Sequence, residues 1–179
     1  MFRIFALISI LTLLSACAQR YYETVEIVWK ESQNSQIVVR GMGVRIWDDQ
    51  ILTSAHVVRD DRLHYEIGWV IYQVSDRDMV GDRAILAIDT NRNIQSKIPH
   101  LQQVQKWDPI YTEVSRSGSI VRIAGKVVDP RGSVTGYDTT GRVVTLSGVV
   151  LTDIDLVPGD SGAPIFTHEW ELIDVVHVR

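Results

Sequence analysis

Short runs of alternating apolar and polar residues, separated by turn residues, make up the first half of the chain after its N-terminal region. These runs predict β-strands, and the turn residues between them predict hairpins. The predicted strands cover residues 37–46, 51–53, 65–74 and 84–88, with turns at residues 48–49 and 75–78.

The same pattern returns in the second half of the chain. The predicted strands here are residues 119–128, 142–146, 149–152 and 171–176, with Val134 in a further short one. No long stretch after the N-terminal region has a helical period. The pattern therefore predicts an all-β protein built from short strands, which suits β-barrels.

Residues 1–17 have the pattern of an export signal. Arg3 precedes an apolar run over residues 4–14, which is shorter than the roughly 20 residues that a membrane-spanning helix needs. The run ends in Leu-Ser-Ala followed by Cys17. This ending resembles the bacterial lipoprotein signal, which implies lipidation of Cys17 and a membrane anchor. An ordinary signal peptide is the alternative. Residues 18–36 are expected to form a tether, with a short first strand within residues 21–29.

Composition narrows the class of protein. The 179 residues carry a net charge of −4 and no basic run, which gives no support to nucleic-acid binding. Cys17 is the only cysteine, so the exported domain has no disulfide. Because small secreted animal proteins usually carry several, we expect a bacterial or phage protein in the cell envelope.

The segment 157–166, with the sequence VPGDSGAPIF, contains the first candidate for chemistry. Ser161 lies between an aspartate and a glycine, and glycines allow a tight turn with positive φ. Such a turn can present a hydroxyl beside several backbone N–H groups, as acyl transfer requires. An ordinary β-turn serine is the alternative for this segment taken alone.

Two upstream segments supply partners for the serine. His56 follows a strand within the sequence TSAH, and Asp82 precedes the apolar run 84–88. Asp76 and Asp78 are rival carboxylates, but neither precedes an alternating apolar run.

These three segments resemble the histidine, aspartate and serine elements of trypsin-like serine proteases, over roughly residues 37–178. The resemblance implies two six-stranded-type antiparallel barrels of the chymotrypsin fold, at residues 37–95 and 111–179, joined by a linker at 96–110. The usual C-terminal strand and helix have no counterpart, so the second barrel is expected to be shortened.

The resemblance also implies a reaction. Ser161 would attack a peptide carbonyl, His56 would transfer the proton, and Asp82 would orient the histidine. The N–H groups of Gly159 and Ser161 would form the oxyanion hole. No metal or cofactor is implied, and the substrate would be a polypeptide. A binding or structural lipoprotein with little activity is the alternative.

Substrate preference is open at this point. Asp155, six residues before Ser161, would lie at the base of the primary pocket and select Arg or Lys. Glutamyl endopeptidases instead use a histidine on the last strand, near which lie Val176 and His177.

Overall fold

The computed structural model describes residues 22–29, 38–58, 65–88, 101–137 and 142–177. The predicted signal segment, with Cys17, lies outside these ranges. No helix that could cross a membrane occurs in them. The strands are β1 Glu23–Trp29, β2 Val38–Trp47, β3 Gln50–Ser54, β4 Tyr65–Ile67, β5 Val70–Asp78, β6 Arg83–Ala87, β7 Pro109–Arg116, β8 Ser119–Tyr137, β9 Val143–Thr152, β10 Pro164–Thr167 and β11 Leu172–Val175.

The first six strands close into an antiparallel barrel in the order β1-β2-β3-β6-β5-β4. Alternate residues of these strands point into the barrel, as the period of two predicts. Ile27, Ile51, Tyr65, Tyr72 and Leu86 are almost completely buried there. Closure leaves this barrel without the unpaired edges of an open sheet.

The barrel begins earlier than the sequence pattern suggested. Residues 18–36 were assigned to a tether, but β1 pairs along its length with β2 and also meets β4. Val25 and Ile27 of this strand belong to the barrel core. The short first strand expected within residues 21–29 is therefore present, but it belongs to the barrel rather than to a tether, because its apolar alternation is used to close the barrel.

Three further boundaries differ from the predictions. The segment 65–74 is a hairpin, since a turn at Gly68 and Trp69 separates β4 from β5. The expected turn at 75–78 is part of β5, whose pairing with β6 continues past a bulge between Val74 and Asp76. The predicted linker 96–110 overlaps β7, which begins at Pro109.

The second half is an antiparallel five-stranded sheet in the order β11-β10-β7-β8-β9. Its two outer strands approach each other, because the Val150 N–H in β9 donates to Asp174 Oδ2 in β11 at 3.1 Å. The molecule is thus an all-β double barrel, as predicted, with a closed six-stranded first barrel and a nearly closed five-stranded second one.

A mixed apolar cluster joins the two halves. It contains Val44, Ile46, Leu52 and Ile85 from the first barrel and Tyr111, Phe166, Leu172 and Val175 from the second sheet. All eight side chains are buried. This cluster fixes the two halves against each other, so groups at their junction are held in register by packing on both sides.

Candidate active site

His56 and Asp82 come together because of strand pairing in the first barrel. Strands β3 and β6 are partners, with Ser54 at the end of β3 opposite Arg83 at the start of β6. His56 lies in the turn directly after β3, and Asp82 lies directly before β6. The turn is tied down by the Ala55 N–H, which donates to the Asp82 carbonyl at 3.0 Å.

The Asp82 carboxylate makes two contacts with His56. Its Oδ1 accepts the His56 backbone N–H at 3.0 Å, and its Oδ2 lies 2.5 Å from His56 Nδ1. Asp82 has no exposed surface and adopts a left-handed backbone with φ of 51°. Such a conformation is uncommon for a residue other than glycine and is often found at functional sites.

The rival carboxylates make other contacts. Asp78 accepts the N–H groups of Val80 and Gly81 and lies 3.6 Å from Arg83 Nη1, while Asp76 accepts the Arg77 N–H. Among the three aspartates considered from the sequence, Asp82 is therefore the one in contact with the His56 ring.

Asp82 stays ionised in spite of its burial. Burial is the largest single influence and favours the neutral acid, but the contacts from His177 and His56 together outweigh it. The pKa of Asp82 therefore lies well below its ordinary value. A buried carboxylate of this kind favours a neighbouring histidine that carries a proton on Nδ1.

The segment before Ser161 forms a type II turn. The Asp160 N–H donates to the Val157 carbonyl at 3.0 Å, with Pro158 and Gly159 at the two central positions. Gly159 has φ of 104°, which a type II turn requires at its second central residue and which glycine adopts without strain. The turn type fixes the direction of the amide between Pro158 and Gly159.

The segment after Ser161 lies tightly against the first barrel. Gly162 has φ of 85°, and a Cβ atom there would lie 1.9 Å from the Met42 carbonyl oxygen. The Met42 N–H donates to the Ser161 carbonyl at 2.7 Å, and the Gly162 N–H donates to the Val176 carbonyl at 2.8 Å. Only glycine fits at position 162.

The serine turn and the histidine turn meet at Gly41. A Cβ atom on Gly41 would lie 2.6 Å from the Ser161 carbonyl oxygen and 2.8 Å from a methyl group of Val57, the residue after His56. His56 Nε2 is buried and has no hydrogen-bond partner among the described residues. The hydrogen bond from Ser161 Oγ to His56 Nε2 is therefore not formed in this structure.

Three amides of the serine turn are already used by the protein. The N–H groups of Asp160, Gly162 and Ala163 donate to the carbonyls of Val157, Val176 and Asp160, respectively. These amides are not available to a ligand. Gly159 and Ser161 stay the predicted donors of an oxyanion hole.

Arg116 holds the turn from the other side and was not found by the sequence analysis. Its Nη1 contacts Asp160 Oδ1, and its Nη2 donates to Asp160 Oδ2 at 2.6 Å. Asp160 Oδ2 also accepts the Val157 N–H at 2.9 Å. The Asp160 side chain is 2% exposed, whereas that of Arg116 is 35% exposed. The hydrogen bonds with Asp160 raise the pKa of Arg116 above its ordinary value.

The residues predicted to select the substrate lie in different places. Asp155 is exposed, so the cost of burying an unpaired carboxylate, on which the preference for Arg or Lys rested, does not apply to it. Val176 is 1% exposed, and its side chain packs in the core of the second sheet. Its carbonyl accepts both the Gly162 N–H and the Ser54 hydroxyl.

His177 lies behind the His56–Asp82 pair and contacts Asp82. Its Nδ1 is 3.4 Å from Asp82 Oδ2, and its Nε2 is 3.4 Å from Asp174 Oδ1. From the sequence, His177 was a candidate only for substrate recognition, and Asp174 was not a candidate for any role. One signal was present, since Asp174 lies within an apolar strand and a buried aspartate needs a partner.

Comparison with solved structures shows which fold this is. The Rv3671c protease from M. tuberculosis in its active form is 20% identical and aligns over 86% of this chain and 68% of its own, with a TM-score of 0.60. The MamO protease domain from Magnetospirillum magneticum is 13% identical over 85% and 82%, with a TM-score of 0.62. Deg5 is 17% identical over 95% and 84%, with a TM-score of 0.59.

Searches by sequence found no matching family model and no matching curated protein. At these identities the structural similarity establishes the fold alone. The chain thus has the double-barrel fold of HtrA-type and trypsin-like bacterial proteases.

Proposed function

We propose that this protein is a serine endopeptidase that cleaves peptide bonds through an acyl-enzyme, with Ser161, His56 and Asp82 as its catalytic residues. The observation that carries the proposal is the pairing of His56 Nδ1 with a buried, ionised Asp82 at 2.5 Å, next to the serine turn. This pairing directs Nε2 of the same ring to act as the proton acceptor.

Each residue then has one role in the reaction. Ser161 Oγ attacks the peptide carbonyl while His56 Nε2 accepts its proton, and the carbonyl oxygen gains negative charge. Collapse of this intermediate breaks the C–N bond, with the proton passing from His56 to the leaving amine. Water then attacks the acyl-enzyme in the same way, releasing the acid and restoring Ser161.

The N–H groups of Gly159 and Ser161 are the proposed donors to the developing oxyanion. A single donor of this kind accounts for about 10²–10³ in rate in a comparable site. The type II turn and the Arg116–Asp160 pair support this assignment, because together they fix the backbone on which both donors lie.

The unpartnered His56 Nε2 agrees with a resting enzyme. Catalytic hydrogen bonds are often long or misaligned before substrate binds. The buried nitrogen would gain its partner when a bound peptide brings Ser161 into line.

Labelling with a fluorophosphonate probe tests the proposal directly. The wild-type protein should be labelled and the Ser161→Ala variant should not, because the probe reacts with an activated serine. Ser119→Ala, which changes an exposed serine at the start of β8, is the matched control and should be labelled like the wild type. Absence of labelling in the wild type would contradict the proposal.

A second function is favoured by the same unpartnered nitrogen. If Ser161 never approaches His56 Nε2, the chain is a binding or structural protein that keeps the protease fold. A crystal structure with a peptide aldehyde would decide between them. A covalent bond to Ser161 indicates the enzyme, and an intact aldehyde indicates the binding protein.

We also propose that the domain is exported and anchored to a membrane of the bacterial cell envelope through lipid on Cys17. The Leu-Ser-Ala-Cys ending of the short apolar run supports this. Mass spectrometry of the native protein should find Cys17 acylated at the new N-terminus, and Cys17→Ser should move the protein out of the membrane fraction. An unmodified Cys17 would contradict it.

A further inference from the structure

Asp82 has a second histidine partner that the proposed reaction does not use. The His177 side chain is 6% exposed, and its ring lies between two carboxylates. Nδ1 is 3.4 Å from Asp82 Oδ2 and forms a hydrogen bond of 3.3 Å with Ser54 Oγ. Nε2 is buried and lies 3.4 Å from Asp174 Oδ1, within ion-pair distance but not aligned as a hydrogen bond. The two ring nitrogens therefore face aspartates from different halves of the molecule.

Asp174 is fixed independently of His177. Its Oδ1 accepts from Arg83 Nε at 2.8 Å and its Oδ2 from Arg83 Nη2 at 2.8 Å, which is a bidentate pair. The N–H groups of Val150 and Val175 also donate to it, at 3.1 and 2.8 Å. Arg83 directly follows Asp82 in the chain, so the Arg83–Asp174 ion pair ties β11 to the start of β6.

A neutral His177 would leave this cluster with an excess of negative charge. Asp82 and Asp174 contribute two negative charges and Arg83 one positive charge, while Asp78 faces Arg83 from its more exposed side at 3.6 Å. His56 also contacts Asp82, through Nδ1 at 2.5 Å. Because buried unpaired charge is costly, a protonated ring between the two carboxylates is the favourable state.

The directions in which the pKa values of His177 and Asp174 are shifted agree with this arrangement. Burial lowers the pKa of His177 most strongly, yet the contacts with Asp174 and Asp82 outweigh it and raise the pKa above the ordinary value. Burial also opposes ionisation of Asp174, but His177 and Arg83 bring its pKa down to about 2.

We propose that His177 is a positioning residue for Asp82: its cationic ring bridges Asp82 and Asp174, and so ties the His56–Asp82 pair to the fixed Arg83–Asp174 ion pair. The proposal rests on the proposed function. His177 touches no reacting atom, and it acts by holding the Asp82 carboxylate in the orientation that His56 requires. Its positive charge also offsets part of the attraction between Asp82 and the imidazolium that forms during catalysis.

Kinetics of two variants test the positioning role. His177→Ala removes the bridge and should lower kcat about 10- to 100-fold with little change in KM, since small misplacements of catalytic groups cost up to about 10²-fold. His177→Gln keeps an N–H donor and should retain kcat within about threefold of the wild type at its own pH optimum. His168→Gln, at an exposed histidine, is the control.

The pH profile separates positioning from a purely structural role. The acid limb of kcat/KM reports protonation of the general base in the free enzyme. Without the cation at position 177, protonated His56 is better stabilised by Asp82, so the acid limb of His177→Gln should move to higher pH. A profile of His177→Gln that superimposes on that of the wild type, or a His177→Ala variant with wild-type kcat, would overturn the proposal.

A measurement without catalysis keeps the two proposals distinguishable. In the Ser161→Ala protein at pH 7, ¹⁵N–¹H spectra of the histidine rings should show a proton on both nitrogens of His177. Adding His177→Ala should speed the exchange with water of the proton that lies between His56 Nδ1 and Asp82. A neutral His177 ring at pH 7 would overturn the inference even in an active enzyme. If the wild type neither reacts with the probe nor cleaves peptides, the proposed function fails, and these spectra still decide whether the bridge exists.

Discussion

Two buried aspartates, Asp82 next to His56 and Asp160 within the serine turn, are held by different kinds of partner. Asp82 belongs to the first barrel and contacts two histidines, His56 and His177. Asp160 belongs to the second half and is held by Arg116. Both aspartate side chains are almost completely buried, at 0% and 2% exposure.

The difference lies in what the partners can do with a proton. Histidine changes its charge near neutral pH, whereas an arginine in a protein does not lose its proton. The Asp82 side can therefore accept and return protons, while the Asp160 side keeps a constant charge and a fixed backbone. This division matches what acyl transfer needs, namely a proton carrier on one side and rigid oxyanion donors on the other.

The largest effect is expected from removing the proton carrier or the nucleophile. His56→Ala and Ser161→Ala should each lower kcat about 10⁶-fold, and the double variant should be little worse, because such residues act as one unit. Rates on one peptide substrate, at equal concentrations of folded protein, would check this. If the fold-loss of the double variant equals the product of the two single losses, the two residues do not act together.

A smaller loss is expected from Asp82→Asn. The asparagine NH₂ would donate to His56 Nδ1 and so leave the proton on Nε2, where it blocks transfer from Ser161. A change of this kind costs about 10⁴-fold in kcat in a comparable triad. Asp78→Asn is the matched control, since Asp78 accepts turn amides that an asparagine oxygen can also accept. Equal losses in both variants would contradict the role of Asp82.

Weakening the contact between Arg116 and Asp160 should reduce kcat without changing its pH dependence. Arg116→Gln frees Asp160 and the turn, and the loss of oxyanion donors is worth about 10²–10³ in kcat. The kcat of Arg116→Lys should lie between those of the wild type and Arg116→Gln, because lysine keeps the charge but cannot contact both carboxylate oxygens as arginine does. Arg122→Gln, at another arginine that pairs with a glutamate, is the control. A change in the acid limb of the profile for Arg116→Gln would contradict the division between the two sides.

Local motifs were sufficient to propose the main residues of the candidate site. His56, Asp82 and the turn around Ser161 are each marked by neighbours in the chain, and strand alternation gave the all-β class. A short first strand was expected within residues 21–29, but its place in the barrel was not, because its partners β2 and β4 come later in the chain.

The groups that support the site depend on distant pairing and could not be predicted. Arg116 is 44 residues from Asp160, and Arg83 is 91 residues from Asp174. No local pattern links such pairs. The direction of the His177 ring was likewise unpredictable, because it depends on how β11 meets the ends of β3 and β6.

The smallest expected effect concerns stability and again separates the two sides. The pKa of Asp174 is lowered to about 2 from 3.8, so its contribution to the free energy of unfolding is present above about pH 4 and is lost as the pH falls toward 2. The lowered pKa of Asp82 acts in the same direction. The raised pKa of His177 acts oppositely, because its contribution is complete below its ordinary value of 6.5 and is lost as the pH rises through the folded-state pKa.

The Asp82–His177–Asp174 cluster should therefore contribute most between about pH 4 and 6.5. In a Ser161→Ala background, which prevents self-digestion, urea unfolding at pH 5 to 9 should show that the advantage of wild type over His177→Gln shrinks with rising pH. The slope is about 1.4 kcal/mol for each pH unit over which His177 titrates between the two states. Arg116→Gln should lower the free energy of unfolding by the same amount at pH 6 and pH 9, since the arginine keeps its charge. A constant difference for His177→Gln over this range would mean that His177 is not a cation in the folded protein.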